Sequence, residues 1–214
     1  MALDEQAQGW LKAMEELGAP PLNEMGVDAA RQVYRDVVQQ FGIPPEEVAN
    51  VRDTTIAGPQ GEIPVRIYTP AGSGPFPVLV YFHGGGWVIG DLEVVHGACS
   101  VLANRSHAVV VSVDYRLAPE HPFPAAVEDC WAATTWVGAN AGSIKGEGDR
   151  LAVGGDSAGG TLAAVVSAMA RDNGGPPIMH QLLLYPAMAP HGGTPSSREN
   201  GEGYFLTTEL MDWF

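Results

Sequence analysis

The chain has 214 residues, 45% of them hydrophobic, with 25 acidic against 11 basic side chains and a net charge of −14. That length holds one large domain or two small ones around a sizeable core, and a mean hydropathy near zero excludes a disordered or membrane-embedded chain. The acidic balance excludes nucleic acid, whose binding needs clustered Lys and Arg against phosphates, and charge-driven anchoring to anionic lipid.

Residues 4–17 and 26–41 have helical spacing, with Trp10, Leu11, Met14 and Leu17 on one face and Val33, Val37, Val38 and Phe41 on another. Gly18-Ala19-Pro20-Pro21 and Gly42-Ile43-Pro44-Pro45 end them. Val51–Ile56 and Ile63–Thr69 flank a turn signal, Gly58-Pro59-Gln60-Gly61, and predict a hairpin. Val78–Phe82 and Val109–Asp114 are short, Val-rich runs of the kind found in buried parallel strands, with a crossover helix expected over Gly97–Ser106. A helix is expected over Pro124–Ala141, a strand at Leu151–Gly155, a helix at Gly159–Asp172 and a strand at Gln181–Tyr185. Residues 189–203, rich in Gly, Pro, Ser and charge, read as a mobile loop. A last helix starts at Thr207 or Thr208, either of which can cap it. After the hairpin the elements alternate strand and helix. That predicts an α/β fold with a mostly parallel sheet, right-handed crossovers and a site at the carboxyl ends of the strands.

Two motifs carry chemistry. Gly155-Asp156-Ser157-Ala158-Gly159 is a G-x-S-x-G running straight from a strand into a helix. A nucleophile elbow needs that context: the serine sits on a sharp, strained turn, and the residues two before and two after it must be small. The N–H groups at the start of the next helix face the place where negative charge develops. The spacing does not fit a dinucleotide-binding G-x-G-x-x-G. The second motif, His83-Gly84-Gly85-Gly86-Trp87, follows the strand Val78–Phe82. Successive glycines let backbone N–H groups converge on one spot, as an oxyanion hole requires. His83 lies inside that loop, so its expected role is to fix the loop rather than to act as a base. Cys99 and Cys130 sit in apolar, helix-like stretches and read as buried free thiols; no Cys/His cluster has metal-ligand spacing.

These motifs, with Asp114–Glu120 (DYRLAPE) and Pro122–Ala126 (PFPAA), resemble the hormone-sensitive-lipase family of carboxylesterases within the α/β-hydrolase fold. The resemblance implies a serine esterase for short- to medium-chain acyl esters, working through an acyl-enzyme without metal or organic cofactor. It implies Ser157 as nucleophile and the N–H groups of Gly85, Gly86 and Ala158 as oxyanion hole, with His83, Gly84 and Trp87 as the supporting loop. Asp114 and Glu120 receive no catalytic role. The implied organisation is a helical cap segment over 1–45, an α/β-hydrolase core over 46–190, and a loop with the start of a cap helix over 191–214. The expected partner is a small ester substrate, with a homodimer admitted. No membrane span or N-terminal leader is visible, so the expected location is cytoplasmic.

The family's triad runs in the order Ser, Asp, His. Neither of the later strands that should present the Asp and His is found, and the last core strands are expected to be missing. His180 should lie at the far end of the sheet. His191, in the loop after the last strand, is on the correct side but reads as a solvated loop histidine. His96, His107 and His121 lack a strand-end context, and Asp212 lies on the last helix. The 214 residues are therefore expected to be a fragment, inactive or nearly so alone. The alternative is a catalytically dead hydrolase fold that binds small molecules.

Overall fold

The computed structural model describes residues 3–18, 20–189 and 193–214. Along the chain, α1 (Glu5–Leu17) and α2 (Val27–Phe41) precede a hairpin of β1 (Asn50–Gly58) and β2 (Gly61–Thr69). Then come β3 (Phe76–Phe82), α3 (His96–Ser106), β4 (Val109–Val113), α4 (Ala125–Asn140), β5 (Gly146–Asp156), α5 (Ala158–Asp172) and β6 (Ile178–Leu184). Two short helices follow, α6 (Pro195–Glu199) and α7 (Thr208–Trp213). The residues divide into two compact units, Tyr34–Met188, and Met1–Val33 with Ala189–Phe214.

The larger unit is built on a six-stranded sheet in the order β1-β2-β4-β3-β5-β6. The hairpin pairs from Asn50↔Thr69 to Gly58↔Gly61, and β2 meets β4 antiparallel. The β3–β4, β3–β5 and β5–β6 pairs are parallel. Because strand side chains alternate faces, Val78, Val80 and Phe82 join the core under α4 and α5 with Cys130, Ala133, Leu162 and Val166. Leu79 and Tyr81 join the opposite core with Tyr68, Cys99 and Ala103 of α3. The sheet is thus covered on both faces, and all five β4 residues are buried. Each such valine contributes about 1.5–3 kcal/mol by leaving water. Both cysteines are free and buried, as the sequence suggests; burial pushes the Cys99 thiol up to about 12.

The edge strand β6 pairs with β5 on one side, and no described strand pairs its other side. It carries exposed Met179 and half-buried Leu182, Leu183 and Leu184. It also begins three residues earlier than the sequence predicts and ends before Tyr185, whose φ of 37° takes it out of the extended path. Similarly, β5 starts at Gly146 rather than Leu151, because the polar Glu147–Arg150 stretch lies at the edge of the buried region while Gly146 pairs with Phe76.

In the smaller unit, the Asp4 carboxylate accepts the Ala7 N–H (2.8 Å) and caps α1, which Gly18 ends at φ 60°. Trp10 packs edge-on against Phe205 at 4.9 Å between ring centroids. Leu22 from the tight turn at Leu22–Glu24, Ala30 from α2 and Leu210 from α7 are buried in this unit. Thr207 caps α7 by accepting the Leu210 N–H (3.2 Å). The loop expected at 189–203 instead contains α6. Thr194 accepts the Ser197 N–H (3.2 Å), the Ser197 hydroxyl oxygen accepts the Thr194 N–H (3.1 Å), and Pro195 fits the first turn. That reciprocal cap is what a reading by composition misses. Among the described residues no helix is long and apolar enough to cross a membrane.

Candidate active site

The two motifs end neighbouring parallel strands. Phe82, last in β3, pairs with Gly155 near the end of β5, which puts the strand ends about 4.8 Å apart. Ser157 follows β5 at φ 51°, ψ −121° and opens α5 as its N-cap. Such a backbone is rare for a residue with a Cβ and is held only where the surroundings over-determine it. Here they do. The Ser157 N–H donates to the Leu184 carbonyl of β6 (2.9 Å), and its own carbonyl accepts the Thr161 N–H (3.1 Å). A Cβ on Gly155 would strike the Phe82 carbonyl and Gly159, and one on Gly159 would strike the carbonyls of Phe82 and His83. The small residues demanded at both flanks of the elbow are therefore demanded by the adjoining loop as well.

That loop turns through Gly85 (φ 119°), Gly86 (φ 58°) and Trp87 (φ 63°). The Gly85 carbonyl accepts the N–H groups of Val88 and Ile89 (3.0 and 2.9 Å). The N–H groups of Gly85, Gly86 and Ala158 have no acceptor among the described residues, so they are free to serve a bound oxygen. His83 is fully buried. Its ring stacks on Tyr115 at 4.2 Å, its Nδ1 lies 2.8 Å from the Gly84 carbonyl, and its backbone carbonyl accepts the Tyr115 hydroxyl (2.7 Å). The ring is locked within the loop, which suits anchoring and not proton shuttling. Trp87 is anchored too, its carbonyl accepting the Ala118 N–H (2.9 Å).

The DYRLAPE segment supports the loop from behind, as a structural connection. Arg116 donates through Nε and Nη2 to the two oxygens of Asp129 (both 2.8 Å), and Asp129 is 1% exposed. Burial raises the Asp114 carboxyl above its usual range, against the pull of His83, Arg35 and Arg66. Beside it, Arg35 of α2 pairs with Asp91, whose carboxylate also accepts the N–H groups of Glu93 and Val94 (2.9 and 3.1 Å) and so fixes the chain leaving the glycine loop.

Sequence reasoning missed Asp156. Its Oδ1 accepts the Tyr81 hydroxyl (2.9 Å) and the Gly84 N–H (3.2 Å), joining the elbow to the glycine loop. Burial, then Asp156, holds the Tyr81 phenol well above its ordinary range; the same two causes raise Tyr34 and Tyr185. The available signal was the acidic residue inside the G-x-S-x-G. The described histidines offer no base in place. His96 Nδ1 is bonded to the Tyr68 hydroxyl (2.9 Å), and His107 packs edge-on against Phe76 at the start of β3. His180 lies inside β6, opposite Ala152, rather than before the strand as expected. That is four residues short of Leu184, about 13 Å along the strand. His121 is exposed after the DYRLAPE segment, and His191 lies outside the described residues. Among the described residues no cluster of three His, Cys, Asp or Glu could hold a metal.

The family model described as the alpha/beta hydrolase fold matches residues 79–214. Esterase LipI of Mycobacterium tuberculosis is 47% identical over 192 residues, which is 88% of this chain and 59% of LipI. Carboxylesterase NlhH of the same species is 45% identical over 193 residues, 88% of this chain and 59% of NlhH. Among solved structures, the ester hydrolase EH1AB1 from the metagenome of Lake Arreo, complexed with a bipyridine phosphonate derivative, superposes with a TM-score of 0.94 at 41% identity. The match covers 99% of this chain and 69% of that one. The chain belongs to the α/β-hydrolase family, and within it to the hormone-sensitive-lipase group that its motifs resemble. It spans 59% of the length of the two mycobacterial relatives.

Proposed function

We propose that the whole protein is a serine carboxylesterase for short- to medium-chain acyl esters, with Ser157 as nucleophile and the N–H groups of Gly85, Gly86 and Ala158 as oxyanion hole. The observation that carries this reading is the meeting of a strained serine turn with free backbone donors. Ser157 sits at φ 51° against a glycine loop that is anchored elsewhere by Tyr115, Ala118 and Asp156. An ester carbonyl attacked by the Ser157 hydroxyl would place its developing negative charge among those donors, where each is worth roughly 3 kcal/mol to the transition state. The acyl-enzyme would then be released by water.

A serine hydroxyl needs a base, and none of the described histidines is placed to serve Ser157. The base and its carboxylate partner belong, in this reading, to the part of the relatives' length that this chain does not span. Residues 1–214 alone are then expected to show only residual hydrolysis. In this reading the helical segment over 1–45 belongs to the family's cap. Cytoplasmic residence and a homodimer complete the reading, and cell fractionation and light scattering test them.

Hydrolysis of p-nitrophenyl acetate and butyrate by the whole protein tests the main claim. Ser157→Ala should lower kcat by at least about 10⁴-fold. Turnover that survives the substitution would remove Ser157 from the mechanism.

A further inference from the structure

We propose that Asp156 is a positioning residue of this site, a strut that sets the glycine loop at a fixed distance from the Ser157 turn. The inference rests on the esterase reading above.

Asp156 is the last residue of β5, and its backbone has little freedom. It pairs with Leu184 of β6, Gly155 before it pairs with Phe82 of β3, and the Ser157 N–H after it is tied to the Leu184 carbonyl. From this fixed base the side chain reaches across to β3 and the loop beyond it. Oδ1 accepts two donors at once, the Tyr81 hydroxyl at 2.9 Å and the Gly84 N–H at 3.2 Å. Gly84 is the first glycine of the loop, directly before Gly85 and Gly86. A Cβ at Gly84 would strike the Asp156 carboxylate itself, so glycine is needed there to admit the strut.

The chemistry of the contact argues for position and not for charge. Among the described residues, no Lys, Arg or His forms an ion pair with Asp156, and its bonded donors are a phenol and a peptide N–H. A negative charge beside an oxyanion hole opposes the charge that forms there, so the carboxylate gains nothing electrostatically from its place. What it supplies is an acceptor at a set distance. Tyr81 is buried within the core under α3, so its hydroxyl anchors the acceptor from the sheet side. Moving the loop donors by about an ångström relative to the nucleophile is enough to cost about 10²-fold in rate. The loss should fall on kcat, because the donors act on the transition state more than on the bound ester.

The test uses the whole protein and reads kcat and KM separately for p-nitrophenyl acetate, with thermal melts in parallel. Asp156→Ala is expected to lower kcat about 10- to 100-fold while KM stays within about threefold. Asp156→Asn keeps an acceptor oxygen without the charge and is expected to restore kcat to within about threefold of wild type. Tyr81→Phe removes one of the two bonds and should fall between. A folded Asp156→Ala with wild-type kcat overturns the proposal. So does an Asn variant that loses as much as the Ala variant, because charge would then be the operative property. If Asp156→Ala does not fold, a wild-type kcat in Tyr81→Phe overturns it. Failure of the underlying reading looks different: Ser157→Ala would then hydrolyse the ester as wild type does.

Discussion

The turn at Ser157 and the glycine loop at His83–Trp87 leave neighbouring strands and meet, yet they hold uncommon backbone conformations by different means. The turn is held by main chain. Strand pairing fixes it on both sides, the Leu184 carbonyl accepts its N–H, and glycines at 155 and 159 leave room for the loop's carbonyls. The start of the loop is held by side chains, and main-chain bonds hold only its later part, at Gly85 and Trp87. The Tyr115 hydroxyl binds the His83 carbonyl and Asp156 binds the Gly84 N–H. A main-chain clamp cannot be adjusted one residue at a time, so damage to it should be an all-or-none loss of folding. Side-chain anchors can be removed singly, so damage to the loop should appear in catalysis before it appears in stability.

Three experiments sharpen or break this contrast. The largest effect is expected for Gly159→Ala, whose Cβ must enter the space of the Phe82 and His83 carbonyls. A loss of more than about 4 kcal/mol is expected, seen as insoluble protein or a missing cooperative melt. A folded, stable Gly159→Ala protein would mean that the two loops can part. Next is Gly85→Ala, at φ 119° with the Ile89 carbonyl in the way of a Cβ. The strained φ and the clash together should cost about 3 kcal/mol or more in stability, and about 10²-fold in kcat with KM little changed. A large stability loss with unchanged kcat would place the donors elsewhere.

The smallest effect concerns alkaline pH. The loop's side-chain anchor Tyr115, the Tyr81 partner of Asp156 and the nearby core thiol Cys99 are titratable, and the turn's main-chain clamps are not. Burial raises the phenols of Tyr115 and Tyr81 above the ordinary tyrosine range, and pushes the Cys99 thiol up to about 12. A group that holds its proton more tightly when folded favours the folded state fully below its unfolded pKa. That advantage falls away as pH rises towards the folded value. Stability should therefore be flat up to about pH 8 and decline beyond it, following the ordinary thiol and then the ordinary phenol range. Urea midpoints at pH 8, 9.5 and 10.5 read this directly. Thiol reagents should leave Cys99 and Cys130 unmodified at pH 8 until the chain unfolds.

The central strands were legible because period and composition agree locally. Val78–Phe82 and Val109–Val113 are buried on both faces and apolar except for Ser112 and the Tyr81 hydroxyl, as strands covered from both sides tend to be. The margins were less so. The start of β5 is polar and β6 shifts by three residues, because pairing with a neighbouring strand rather than side-chain pattern sets where a ladder begins. The short α6 escaped a reading by composition because its signal is one reciprocal cap between Thr194 and Ser197.

The order of elements, the elbow and the glycine loop follow from the sequence by itself, because each is a local requirement. A buried strand needs β-branched residues, a tight turn needs glycine on both flanks of the serine, and a donor loop needs residues without Cβ. The tertiary structure alone decided that Gly155 and Gly159 must be small for the neighbouring loop as well as for the turn, and that Asp156 ties the two together through Tyr81 and Gly84. Those are contacts between residues some seventy positions apart (75 for Tyr81, 72 for Gly84). No local pattern encodes them; they exist once β3 and β5 lie side by side.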